Sequence, residues 1–234
     1  SANVAVYQAF TKPGDTVLCL ISGGASSLWA DVPKSCTLTE VQETFQLLLK
    51  SGAAIDEMNC IRRHLSSIKG GQLLRYAPQA TWFTLMISDV PGDKPEAIAS
   101  GPTTADPSTF ADAWSIVEQY QLQQRLPATV INHLQKGLNG SVTETVKPID
   151  PLLQQVQNQI IGSNNVALTA AAAKAEELGY TVLLQPELLT GDAAATAEAI
   201  VQQVKQYRGQ KPACLLFGGE TTVTVTGNGK GGRN

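Results

Sequence analysis

Short, unbroken apolar runs alternate along this chain with longer stretches of helical period, and that alternation constrains the fold more than any other feature. The runs are 16–21 (TVLCLI), 81–87 (TWFTLMI), 180–184 (YTVLL) and 213–217 (ACLLF). Each is apolar at successive positions, which predicts strands buried on both faces of a parallel sheet. Between them, Leu38, Val41, Phe45, Leu48 and Leu49 share one helical face, with Thr37 and Glu40 spaced as a capping box and Gly52 at the stop. The same period recurs at Phe110, Trp114, Val117 and Tyr120, at Val130, Ile131, Leu134 and Leu138, in the alanine-rich stretch 166–178, and at Ala197, Ile200, Val201 and Val204. Strands separated by helices predict an α/β protein with helices on the sheet faces, a Rossmann-like three-layer α/β/α domain. The polar stretch 138–151 (LNGSVTETVKPIDP) has no clear period and is the best candidate for a linker. The expected division is 1–158 and 159–234, the second part being a smaller α/β unit.

Of 234 residues, 43% are apolar and 16% charged, enough for a real core and too little charge for a disordered chain. A net charge of −3 offers no basic excess for nucleic acid or an anionic membrane. No run approaches the roughly 20 apolar residues of a membrane span, and the first ten residues do not read as a signal peptide. Four dispersed cysteines (19, 36, 60 and 214) point to free thiols in a reducing, cytoplasmic setting. Two histidines leave little room for a histidine-rich metal site.

Glycines gather where strands end. Strand 16–21 runs into Ser22-Gly23-Gly24-Ala25-Ser26-Ser27, strand 213–217 into Gly218-Gly219-Glu220, and the chain closes on Gly227-Asn228-Gly229-Lys230-Gly231-Gly232-Arg233-Asn234. Glycine lets backbone approach a ligand closely, successive amides can form an anion-binding nest, and ligands of open α/β sheets sit at the strands' carboxyl ends. The plain alternative is a set of tight turns. Gly229-Lys230 lacks the Ser or Thr of a phosphate-binding P-loop, and Gly227, Gly229 and Gly232 lack the helix that a dinucleotide fingerprint requires. Gly24-Ala25-Ser26-Ser27-Leu28 has leucine where a nucleophile elbow has its second glycine. Asp89, after the 81–87 strand, suits hydroxyl orientation, general base work or Mg²⁺, or simply a turn. A long donor-rich loop, Ser100-Gly101-Pro102-Thr103, follows, and Arg62 has the fork to grip a carboxylate or phosphate.

The blocks LISGGASSL, SGAAIDEMNCIRRHLSSIKGGQL, ISDVPGDKPEAIASGPTTADPSTF, IIGSNNVAL and LLFGGETTVTVTGNGKGGRN, in this order, resemble those of the glycerate 2-kinase family. This is the MOFRL-type family, whose members were often labelled hydroxypyruvate reductases. The resemblance implies ATP-dependent phosphorylation of D-glycerate to 2-phosphoglycerate, with Mg²⁺, in a cleft between two α/β domains. It makes 1–158 a glycerate-kinase N-terminal-type domain, incomplete at its start, and 159–234 a MOFRL-type domain, incomplete at its end. By position it assigns Arg233 to the transferred phosphate or substrate and Asp89 to catalysis or metal. Ser22, Gly23, Gly24, Ser26, Ser27, Arg62, Ser100, Gly101, Thr103, Asn164, Glu220, Gly229, Lys230, Gly231 and Gly232 become candidates for substrate or nucleotide, with Glu220 a second metal candidate. The family's N-terminal region with its active-site lysine has no counterpart here, and Lys12 lies in a Lys-Pro-Gly turn. The expectation is therefore that these 234 residues alone do not turn over, and that unfilled apolar surface favours pairing, for example as a homodimer. The rivals are a nicotinamide-dependent hydroxypyruvate reductase and a non-catalytic small-anion-binding module.

Overall fold

The computed structural model describes residues 11–223. The chain divides into two compact units, Ser1–Ile161 and Gly162–Asn234.

In the first unit, β1 (Thr16–Ile21), β2 (Thr81–Ile87) and β3 (Val156–Gly162) lie side by side in that order. β1 and β2 are parallel, in register from Thr16 opposite Thr81 to Ile21 opposite Met86. Their connection carries the short turn α1 (Ala25–Leu28), then α2 (Leu38–Ser51) and α3 (Ile55–His64); α4 (Phe110–Gln119) and α5 (Ala128–Leu138) follow β2. The capping box read from sequence forms at α2: Thr37 accepts the Glu40 amide at 3.3 Å and Glu40 accepts the Thr37 amide at 2.7 Å.

Two expectations change. Helices α2–α5 pack on one another: Leu48, Ile61, Leu65, Val117, Leu122, Val130 and Leu134 form a core that contains no strand residue. The covered sheet face instead packs Trp82 against Ile68, Leu73 and Leu74, and Ile21 and Met86 against Ile98. The opposite face is not covered by the described residues, so burial along β1 and β2 alternates. Leu18 and Leu20 are 60% and 70% exposed, although their apolar character predicts burial.

The stretch 138–151, the expected linker, lies inside the first unit. Val146 and Thr145 are buried, the Val146 amide donates to the Gly70 carbonyl at 2.9 Å, and the Asp106 amide donates to the Val146 carbonyl at 2.8 Å. Glu144 accepts from the buried His64 ring (Nε2 to Oε1, 2.9 Å) and from the Phe110 amide (2.9 Å). His64 Nδ1 lies 2.8 Å from the Cys60 carbonyl, so both ring nitrogens face acceptors and a proton on each is satisfied. Burial opposes the charge, but the hydrogen bonds to Cys60 and Glu144 outweigh it and lift the His64 pKa to about 9. Glu144 is likewise disfavoured by burial, yet its bonds to His64 and two backbone amides bring it down to about 2.

In the second unit, β4 (Thr181–Leu184) and β5 (Ala213–Leu216) pair in parallel, accompanied by α6 (Asn164–Glu177) and α7 (Ala193–Gln206). Ser163 caps α6 through the Val166 amide, and Asp192 caps α7 through the amides of Ala194 and Ala195. All four cysteines of the chain are free. Among the described residues no helix is long and apolar enough to cross a membrane.

Candidate functional site

Because β1 and β2 run parallel and in register, their carboxyl ends deliver two loops to one edge of the sheet. The exposed Asp89 carboxylate accepts the Gly24 amide at 3.3 Å. A Cβ on Gly23 would stand 2.7 Å from Asp89 Oδ2, so any larger residue there would push the carboxylate from this position. One turn further on, the Ser26 hydroxyl lies 3.2 Å from that of Ser100. Ser100 reaches it from a run of three left-handed residues, Ala99 (φ 53°), Ser100 (φ 61°) and Gly101 (φ 66°). For the two non-glycine residues this conformation costs roughly 1 kcal/mol each, strain of a kind that gathers at functional sites. Ile98, Ala99 and Ser100 are buried, and this packing holds the strained run in place.

Five of the expected residues are thus brought together in the first unit: Gly23, Gly24, Asp89, Ser26 and Ser100. Ser22 is exposed in the same loop, and Ser27 follows Ser26 in α1. Gly101 and Thr103 make contacts within the fold. The Gly101 carbonyl accepts the Gly71 amide at 2.7 Å. Thr103 is wholly buried, its hydroxyl donating to Asn158 Oδ1 (2.8 Å) and its carbonyl accepting from Asn158 Nδ2 (3.0 Å). Arg62 sits on α3, donating to Asn59 Oδ1 at 2.7 Å and stacking over the Phe45 ring, 5.0 Å from its centroid. Burial lowers its pKa, and among the described residues no carboxylate pairs with it.

In the second unit, Asn164 is exposed at the start of α6, and Gly218 passes close to its side chain. Glu220 is exposed and its amide donates to the Leu189 carbonyl at 3.1 Å. Gly229, Lys230, Gly231, Gly232 and Arg233 lie outside the described residues. No group of three or more His, Cys, Asp and Glu side chains is placed to hold a metal ion among the described residues. An open cavity of about 430 Å³ in the first unit, bounded by Pro95, Glu96, Thr104, Pro107, Val156 and Asn158, contains none of the expected residues.

Sequence reasoning passed over Asp31 and Lys69, both almost fully buried, with Lys69 Nζ 3.5 Å from Asp31 Oδ1 and 3.1 Å from the Trp29 carbonyl. Burial pushes the Lys69 pKa down while Asp31 opposes that shift. The only signal was a lysine directly ahead of two glycines in a segment rich in cations.

The DUF4147 family, described as a domain of unknown function, matches residues 2–135. A glycerate 2-kinase of Pyrococcus horikoshii is 43% identical over 95% of this chain and 51% of its own length. A putative hydroxypyruvate reductase of Agrobacterium vitis is 42% identical over 95% of this chain and 50% of its own. The crystal structure of a glycerate kinase from Thermotoga maritima superimposes with a TM-score of 0.79 at 36% identity, over 98% of this chain and 54% of that one. The chain spans about half the length of the curated relatives it matches.

Proposed function

We propose, from the premise that the chain belongs to the glycerate 2-kinase family through its DUF4147 domain, that it forms part of an ATP-dependent kinase acting on the 2-hydroxyl of D-glycerate. The observation that carries the reading is the meeting of Gly23, Gly24 and Asp89 with Ser26 and Ser100 at one sheet edge. Phosphoryl transfer needs positioning and charge neutralisation more than covalent chemistry, and this edge offers hydroxyl donors, backbone amides and one exposed carboxylate.

Within that reading the Ser26 and Ser100 hydroxyls donate to oxygens of the bound substrates. Asp89 orients the 2-hydroxyl of glycerate or holds Mg²⁺. A single exposed carboxylate fits this ion, which keeps several waters and takes further ligands from phosphates. When bound, Mg²⁺ would neutralise phosphate charge. Arg62, half-buried and with no acidic partner among the described residues, is the described cation best suited to the glycerate carboxylate. Asn164 and Glu220 stay in the proposal as contacts of the second unit, Glu220 as a further metal candidate. Arg233, with the loop Gly229 to Gly232, stays as the group that stabilises the transferred phosphate.

The reductase name carried by some relatives supplies the rival reading. A coupled assay on the full-length protein separates the two. ADP release that depends on D-glycerate supports the kinase; NADH oxidation with hydroxypyruvate, without ADP release, overturns it.

A further inference from the structure

The two loops of the candidate site are far apart in sequence, yet both hang on one short segment, 66–71. On one side the Ser66 and Ser67 hydroxyls and the Ser67 amide donate to the Asp31 carboxylate, at 2.8 Å for Ser66 and 2.9 Å for the Ser67 hydroxyl. Lys69 Nζ completes this side by donating to the carbonyl of Trp29, the residue that ends α1. On the other side the Gly70 amide donates to the Ser100 carbonyl at 3.1 Å and the Gly71 amide to the Gly101 carbonyl at 2.7 Å. Lys69 and Gly70 are adjacent residues, so the side chain of one holds the end of the Ser26 turn while the backbone amide of the next holds the strained Ser100 run.

The segment is itself tightly fixed. Ser66 Oγ accepts the Lys69 amide at 2.9 Å, and Gln72 Nε2 donates to the carbonyls of Ser66 (2.9 Å) and Lys69 (3.1 Å). Gly71 has φ +75°, and a Cβ there would stand 2.5 Å from Val146 Cβ and 2.8 Å from the Thr104 carbonyl. A buried ion pair is a poor source of stability, since apolar replacements are often no worse. What the Asp31–Lys69 pair supplies is direction: it fixes where α1 ends relative to the neighbouring glycines.

We infer that segment 66–71 is a positioning platform for the candidate site, with Asp31 and Lys69 as positioning residues that set the Ser26 hydroxyl against that of Ser100. The rate arm of the test rests on the kinase reading; the exchange arm does not.

The test uses the full-length protein as wild type, Lys69→Met, the charge-balanced double variant Asp31→Asn/Lys69→Met, and Leu122→Ala as a stability control from the separate helical core. In the wild type, the Trp29, Gly70 and Gly71 amides are expected to exchange with deuterium at one common protection level; clearly separate levels overturn the platform. In Lys69→Met, exchange at 24–29 and 98–101 rises about tenfold or more while 110–119 stays at the wild-type level. The same variant loses about 10²-fold in kcat with little change in KM for glycerate, because misplacement by about 1 Å costs that much. Leu122→Ala loses stability but keeps kcat. Unchanged exchange in both loops, or a kcat equal to that of Leu122→Ala, overturns the inference. Should Lys69→Met fail to fold, the double variant, which leaves no unpaired buried charge, carries the comparison, and the wild-type exchange pattern decides without either. Absence of glycerate-dependent ADP release in the wild type defeats the kinase reading alone and leaves the exchange arm to decide the platform.

Discussion

Stability should depend on pH through His64 and Glu144 in a direction that can be worked out from the structure. The His64 side chain is fully shielded from solvent and its pKa is lifted from 6.5 to about 9. A raised pKa means that the folded protein holds the proton more tightly than the unfolded chain. The stabilisation is therefore complete below the unfolded value near 6.5 and is lost as pH rises through about 9. The shift corresponds to about 3 kcal/mol, counted once for the pair. Glu144 has the opposite sign: its contribution is present above its ordinary value of 4.5 and disappears as pH falls through about 2. Urea unfolding followed by far-ultraviolet dichroism is thus expected to give greatest helix stability between the two ordinary values, with a decline on the alkaline side. Glu144→Gln should lose about 3 kcal/mol near neutrality and flatten that decline, since the imidazolium no longer faces a carboxylate. With two histidines in the chain, proton NMR can follow each ring. A His64 titration near 6.5, or wild-type stability that is level from neutrality to beyond pH 9, would refute the reasoning.

Gly71→Ala should destabilise by about 2–4 kcal/mol, seen as a lowered urea midpoint, because the added methyl meets Val146 and the Thr104 carbonyl in a left-handed residue. Ser100→Gly should stay within about 1 kcal/mol of wild type, relief of backbone strain offsetting the lost hydroxyl contact. Its kcat in the full-length protein should nevertheless fall, and undiminished turnover would remove Ser100 from the mechanism. Asp89→Asn should lower kcat and raise the Mg²⁺ concentration needed for half-maximal rate; wild-type behaviour at ordinary Mg²⁺ would free Asp89 of both roles. Arg233→Ala should reduce kcat by about 10³-fold with little effect on the unfolding midpoint, as expected for a group acting on the transferred phosphate.

Features set by local chemistry were legible in the sequence. The Thr37–Glu40 capping box and the four apolar runs read directly, because neighbouring residues decide them. The meeting of Ser26 with Ser100 could not be read, since it depends on left-handed backbone at Ala99 and Ser100, for which neither residue type is a signal. Lys69 resembles the solvated cations around it until the fold buries it against Asp31. The stretch 138–151 looks like a linker because its polar residues are partnered across the fold: Glu144 serves His64, and Thr145 Oγ1 donates to Asp106 Oδ2 at 3.0 Å. Helical periodicity, likewise, shows that a face is apolar without showing whether a sheet or another helix covers it.

Helix-on-helix and helix-on-sheet packing divide the cooperativity of the first unit. Among the described residues the first unit holds three apolar nuclei, one shared among helices and two beneath the strands, and they need not melt as one foldon. Trp114 packs against the helical nucleus, whereas Trp82 and Trp29 belong to the sheet side, so the tryptophans report on different nuclei. The strand side exposes apolar residues on its far face, and mild denaturant should loosen it first. Sub-global opening of that kind would release the turn after β1 and its partner loop while α2–α5 still hold, and the Trp82 signal would change before the helical dichroism does.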